Sequence, residues 1–274
     1  MKLNLIISSL CLALSMEALT PISKAQAYEI IDLASDPIIV GLDGDSTVSY
    51  TGGTGLLSAI DVAVSEGASK SNPIPVYIKP GDYTTGNFAI PDGVNLVGLT
   101  DSNFYTPGTD APVCIYADYT TFSSVTSVLQ NISFLPVSLT NAAQNVSSST
   151  VECSNCYLGN LNASVGTCII SCANSCIQLP ASTSGTATFT FTNCVVPTRF
   201  DASSAPVTAT FINSTIPDEF EIFCESSLVM DFYESTCGNI IYSNSGSLMI
   251  IFEAGSTYGT VTNSGGTDAT ITYK

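Results

Sequence analysis

The chain has 274 residues, with 23 acidic against 6 basic side chains, no histidine and a formal net charge of −17. A surface of that sign repels phosphate backbones and anionic lipid, which excludes nucleic acid and anionic membranes as partners. Hydrophobic residues make up 45% and charged ones only 11%, which excludes a disordered chain and fits many half-buried strands.

In chain order, the first element is the apolar stretch 3–16 behind Met1 and Lys2, closed by the small-x-small run Ala25, Gln26, Ala27. It predicts a signal peptide over residues 1–27 and a secreted or cell-surface protein. The stretch is shorter than the ~20 residues a bilayer span needs, and nothing later reaches that length, so no membrane span is expected. Without residues 1–27, which hold Lys2, Lys24 and Glu17, 4 basic and 22 acidic residues remain. Residues 28–50 are expected to form an N-terminal extension. In it, Asp43 and Asp45 flank a glycine and are the candidate ligands for calcium, a hard cation that takes several oxygens. No other cofactor is expected.

The segment 54–67 places Leu56, Leu57, Ile60, Ala63 and Val64 on one helical face. Thr54 is its expected N-cap and Gly67 its stop, and the helix would cover the apolar end of the domain that follows. Two strand-like runs come next, PVYIKPGDY at 75–83 and IPDGVNLVG at 90–98. A helix, a strand ending in Pro-Gly-x-Tyr and a second strand closing on glycine resembles the opening of pectin lyase-like right-handed β-helix proteins, pectin methylesterases among them. The resemblance covers about residues 51 to 98. It implies an all-β domain over 51–274, a single-stranded right-handed parallel β-helix with about 20 residues per coil.

A repeat farther along supports the same fold independently. The segments 188–194 (TFTFTNC), 208–214 (TATFINS), 229–235 (VMDFYES) and 249–255 (MIIFEAG) place Phe191, Phe211, Phe232 and Phe252 at spacings of 20, 21 and 20. One period forward is Tyr273, and 19 residues back, twice, are Cys172 and Cys153; Leu129 opens the column after a longer turn of 24. Two residues beyond the column lie Asn131, Asn155, Asn174, Asn193 and Asn213, then Glu234 and Ala254. Asparagine suits a tight turn because its side chain bonds locally and tolerates left-handed backbone. In stacked coils these columns lie one strand spacing apart, ~4.8 Å.

Nine cysteines follow residue 27: Cys114, Cys153, Cys156, Cys168, Cys172, Cys176, Cys194, Cys224 and Cys237. Most fall on the core column or beside the turn marker, which accounts for their spacing better than a zinc site does. Stacked thiols and disulfides both remain open on these positions.

Enzymes of the resembled family that act on uronate chains use clustered aspartates with Arg, Lys or His, often with calcium. This chain has no histidine and one arginine, Arg199. Arg199 and Asp201, with Asp218, Glu219 and Glu221 one coil later, are the candidate ligand-binding residues. The family's catalytic motifs cannot be carried onto these positions, so no catalytic residue is assigned. The sequence reading is therefore a non-enzymatic scaffold or surface protein for adhesion, glycan binding or assembly, with an extracellular glycan or surface receptor as partner. The alternative is a divergent extracellular polysaccharide lyase, hydrolase or esterase. The strand-like run 269–274 carries no capping element, and its open edge predicts self-association there. Asn131, Asn145, Asn162 and Asn213 lie in Asn-x-Ser/Thr acceptor sequences.

Overall fold

The computed structural model describes residues 37–102, 111–137, 143–182, 184–197, 199–203 and 205–274, with only the backbone of Asp218. The expected signal peptide lies outside them. The chain winds as a parallel β-solenoid, the fold that both the repeat and the resemblance imply. One twelve-stranded sheet contains β1 (Ile38–Gly41), β2 (Tyr50–Thr51), β3 (Ile74–Ile78), β6 (Val94–Gly98), β9 (Thr126–Gln130), β12 (Thr150–Ser154) and β14 (Thr167–Ala173). It continues through β16 (Thr186–Thr192), β18 (Val207–Ile212), β20 (Ser227–Tyr233), β22 (Ser247–Phe252) and β25 (Thr270–Tyr273). A second sheet, of 13 strands, holds the intervening segments, among them β15 (Cys176–Ser182), β17 (Arg199–Ala202), β19 (Thr215–Cys224), β21 (Thr236–Asn244) and β24 (Val261–Gly266).

The core column is a run of in-register pairs: Leu129 with Cys153, then Cys172, Phe191, Phe211, Phe232, Phe252 and Tyr273. It also extends backward through Leu96 and Val76 to Ile38. Ring centroids of successive aromatics from Phe191 to Phe252 lie 5.1, 4.7 and 5.2 Å apart, the spacing of rings carried on adjacent strands. Tyr273 keeps the register but is 57% exposed, because no described rung lies over it. On the second sheet Phe200 pairs inward with Ile222 and Phe220 with Ile240, all four fully buried.

The helix α1 runs over Gly52–Ser65, with Thr51 and not Thr54 at its N-cap, and Gly67 beyond its end has φ +88. It buries Leu56, Ala59, Ile60 and Ala63 against the first coils, while Val64, expected on that face, is 45% exposed. Three- and four-residue steps from Leu56 reach Ala59, Ile60 and Ala63, whereas Val64 lies eight residues on and has rotated out of the stripe. The solenoid also starts before residue 51, because β1 already pairs in register with β3.

Asn131, Asn155, Asn174, Asn193, Asn213 and Glu234 all adopt φ between +46 and +55 at the corner after the column. The Asn155 amide donates to Asn131 Oδ1 at 2.9 Å, that of Asn193 to Asn174 Oδ1 at 3.2 Å, and that of Asn213 to Asn193 Oδ1 at 2.6 Å. In the last of these corners the positive φ falls on Gly255, not on Ala254, so that rung carries one extra residue. The ladder uses two of the glycosylation candidates: Asn213 as above and Asn131, whose Nδ2 donates to the Gly98 carbonyl at 3.0 Å. Asn162 donates to Asn145 Oδ1 at 3.3 Å on the second sheet.

Beside the asparagines stands a column of small hydrogen-bonding side chains that the sequence reading missed: Cys156, Ser175, Cys194, Ser214, Ser235 and Ser256. Ser214 Oγ lies 3.0 Å from both the Phe191 and Ile212 carbonyls and accepts from the Cys194 N–H at 3.1 Å. Ser235 repeats this against the Phe211 and Tyr233 carbonyls and the Ser214 N–H. The thiols of Cys156 and Cys194 point at the Leu129 and Cys172 carbonyls at 3.5 and 3.3 Å, taking the serine's place. All nine described cysteines are free and buried. These thiols are small side chains with a weak donor, built into the wall of the core.

Candidate functional site

Strand alternation sends Phe200 inward and Arg199 and Asp201 outward on β17. Arg199 Nη2 donates to Asp201 Oδ2 at 2.6 Å, and the guanidinium carbon sits 5.1 Å from the centroid of the Phe223 ring, which is partly exposed. Arg199 Nε and Asp201 Oδ1 have no hydrogen-bond partner. Of the acidic run expected beside Arg199, only Glu221 is its cross-strand neighbour; Asp201 faces Phe223, and Glu219 pairs with Asn239. Between Ile216 and Glu219 the pairing of β19 with β21 shifts register, and the Asp218 side chain lies outside the described residues.

Asp45 is already committed. Its Oδ2 accepts from Lys79 Nζ at 2.8 Å, and Oδ1 accepts from the Thr47 N–H and hydroxyl at 2.9 and 2.6 Å. The Lys79 ammonium, then the Thr47 donors, hold its pKa down to about 2. A calcium ion between Asp43 and Asp45 would have to displace Lys79. No group of three or more Cys, Asp or Glu side chains among the described residues is arranged to hold a metal.

The outer face of the first sheet offers a more extended arrangement. Its middle row runs in register through Glu152, Ser171, Thr190, Thr210 and Asp231. Thr188 and Thr208 pair in the row on one side, and Thr192, Ile212 and Tyr233 form the row on the other. The result is a floor of hydroxyls with an acid at each end, about 19 Å apart by four strand spacings. Burial raises the pKa of both acids, for Asp231 against the opposing pull of Lys274.

At the Glu152 end the face becomes deeply covered. Gln130 and Ser154 pair in register and share Glu152's outward side, yet they are 2% and 0% exposed. Gln130 Oε1 and Ser154 Oγ have no hydrogen-bond partner, and Glu152 has neither a cation nor a donor beside it among the described residues. At the other end, Asp231 Oδ1 is also without a partner, while Glu253, one rung on, is held by Lys274 at 3.0 Å. The sequence reading passed over this face because its acids are single residues scattered through 80 positions; only the rung register brings them into one row.

No protein-family model matches this chain, and no curated protein matches it. Among solved structures it is similar to the pectin methylesterase from Aspergillus niger in deglycosylated form, at 15% identity and a TM-score of 0.39 over 86% of this chain and 87% of that one. The same enzyme in penultimately deglycosylated form gives 17% identity and a TM-score of 0.40 over the same shares. Likeness at this level says nothing about activity, which has to be read from this chain's own residues. Among the described residues, no helix is long and apolar enough to cross a membrane.

Proposed function

We propose that the protein is an exported, non-catalytic solenoid that binds a glycan along the outer face of its first sheet. The observation that carries this reading is the row Ser171, Thr190, Thr210 between Glu152 and Asp231. Hydroxyls repeating at ~4.8 Å suit the hydroxyl-bearing edge of an extended sugar chain, and Tyr233, 39% exposed at the border, offers an aromatic face to a sugar ring. A net charge of −17 opposes uronate chains, so the glycan is one without acidic groups. The Arg199–Asp201–Phe223 group on the other sheet is a second polar contact surface of the same scaffold, and the open edges of β24 and β25 are where two copies would associate. Calorimetric titration with neutral and amino-sugar oligosaccharides tests the reading. Binding reduced by Tyr233→Ala and by Thr210→Lys supports it; no heat from any glycan counts against it.

One observation favours a hydrolytic alternative. Glu152 and Asp231 are too far apart for the two-carboxylate chemistry of glycoside hydrolysis, which needs about 5 to 9.5 Å. Asp231 and Glu253 are diagonal neighbours on adjacent rungs, a spacing of about 7–8 Å that suits an acid and a base with water between them. Turnover of any oligosaccharide that Asp231→Asn abolishes would establish this alternative over simple binding.

A further inference from the structure

We propose that two copies of the chain join through the edge of β25 as an antiparallel, two-fold pair centred on Ile271. The inference rests on the reading of β24 and β25 as the edges where copies meet, and it adds the register, the symmetry and the limit at two. Among the described residues, no strand lies beyond β25 in the first sheet. The Lys274 N–H donates to the Phe252 carbonyl at 3.0 Å, so the alternation of the strand turns the backbone N–H and C=O of Ile271 and Tyr273 to the unpaired side. The interior of this coil is apolar and open: Val261, Ala269 and Ile271 pack on the core but are only partly buried, and the exposed rings of Tyr258 and Tyr273 stack at 5.3 Å. At the opposite end α1 packs over β1, β2 and β3, so no matching edge is offered there and the partner of β25 is a second β25.

The side chains decide the register. Ala269, Ile271 and Tyr273 share the inward side with the core column, and Asp268, Thr270, Thr272 and Lys274 the outward side. Antiparallel pairing about Ile271 sets Ile271 against its own copy, Ala269 against Tyr273, Thr270 against Thr272 and Asp268 against Lys274. A small residue then meets a large one inside, and opposite charges meet outside at both ends of the pair. Ile271 and Tyr273, which carry the free backbone groups, fall at the hydrogen-bonded positions of that ladder. Moving the centre to Thr272 also satisfies the backbone, but it sets Lys274 against Thr270 and leaves Asp268 with no opposite charge. Lys274 donates to Glu253 Oε1 at 3.0 Å and keeps two more N–H donors for the Asp268 of the other copy, whose exposed carboxylate is engaged through Oδ1 by Asn263 at 2.9 Å. Two copies at −17 repel, yet at physiological salt the screening length is about 8 Å, so the charges at the contact weigh most. A two-fold contact uses the same edge from both copies and closes on itself, so assembly stops at two. One coil end is a small surface, of the class that forms and parts readily, so the dimer exchanges with monomer.

The test is sedimentation velocity of the full chain over a concentration series at about 0.15 M salt. A monomer–dimer equilibrium with no larger species is expected. Asp268→Lys and Lys274→Glu each set like charges opposite one another at both ends of the pair, and each alone is expected to weaken dimerisation at least about tenfold. The double variant restores opposite charges in this register and is expected to recover most of the parent affinity. Both positions are exposed, and circular dichroism checks that each variant keeps the parent fold. A monomer at every concentration overturns the inference together with the reading of the edges. A dimer indifferent to the single charge changes, or species that grow beyond two, overturns the register and the symmetry and leaves association at these edges standing.

Discussion

Replacing Phe211 with alanine tests the internal stack most directly. The ring is fully buried, with Phe191 centred 5.1 Å away on one side and Phe232 4.7 Å away at 9° on the other. Truncating a buried phenylalanine costs about 3–5 kcal/mol, from lost transfer energy plus the cavity left behind. Two changes would ease the loss, closure of the cavity or movement of a neighbour into it. Both are resisted here because the backbone on either side is pinned by in-register pairing with β16 and β20, and the Phe211 carbonyl is still held by Ser235. The cost should therefore fall in the upper half of the range, about 4–5 kcal/mol. Urea unfolding read at its midpoint, with an unchanged denaturant slope, measures it. Tyr273→Ala is the internal control, since it shares the column but is 57% exposed and should cost less than about 1 kcal/mol. If both substitutions shifted the midpoint equally, burial in the stack would not be what stabilises this column.

Three further outcomes are expected. In the ladder of small side chains, Cys194→Ser should leave stability within about 0.5 kcal/mol of the parent, whereas Ser214→Ala should cost about 1–3 kcal/mol by stranding the buried Cys194 N–H; paired urea titrations compare them. The thiols should resist alkylation in the native state and react only on unfolding, because all are buried and burial raises Cys114, Cys194 and Cys237 to about 12; mass spectrometry after iodoacetamide at pH 8, with and without denaturant, counts them. Glu152 has a carboxyl raised by burial, so the folded state holds its proton more tightly than the unfolded chain does. Its contribution to stability is present below the unfolded pKa and is lost as pH rises through the folded value. Glu152→Gln should thus match the parent in acid and be the more stable protein at neutral pH, as read from thermal midpoints between pH 3 and 7.

The core column could be read in the sequence from Cys153 onward because each period there is 19 to 21 residues and each carries one large or sulfur-bearing side chain at the same phase. Its earlier members, Ile38, Val76 and Leu96, were hidden because α1 and longer corners lie between them and break the period. The asparagine positions were recognised, but the serine and cysteine column beside them was not. Serine is too common in this chain for its phase to stand out, and cysteine in two of those six places left disulfides open as an explanation. The Arg199 group was found through residue rarity, yet its partner was misplaced: adding one period of about 20 to Asp201 points to the acidic run 218–221, whereas β17 pairs with β19 at a longer offset that puts Phe223 opposite Asp201.

The same division of labour explains why the outer face can carry a ligand. In an ordinary domain a row such as Glu152, Ser171, Thr190, Thr210 and Asp231 would be constrained by the packing of its neighbours. Here the aromatic stack holds the interior and the corners are held by the asparagine and serine–cysteine ladders, so the outward position of each strand is almost free of structural duty. Chemistry placed there is repeated by the rungs at a fixed spacing on a rigid floor, which lowers the ordering cost of binding an extended polymer.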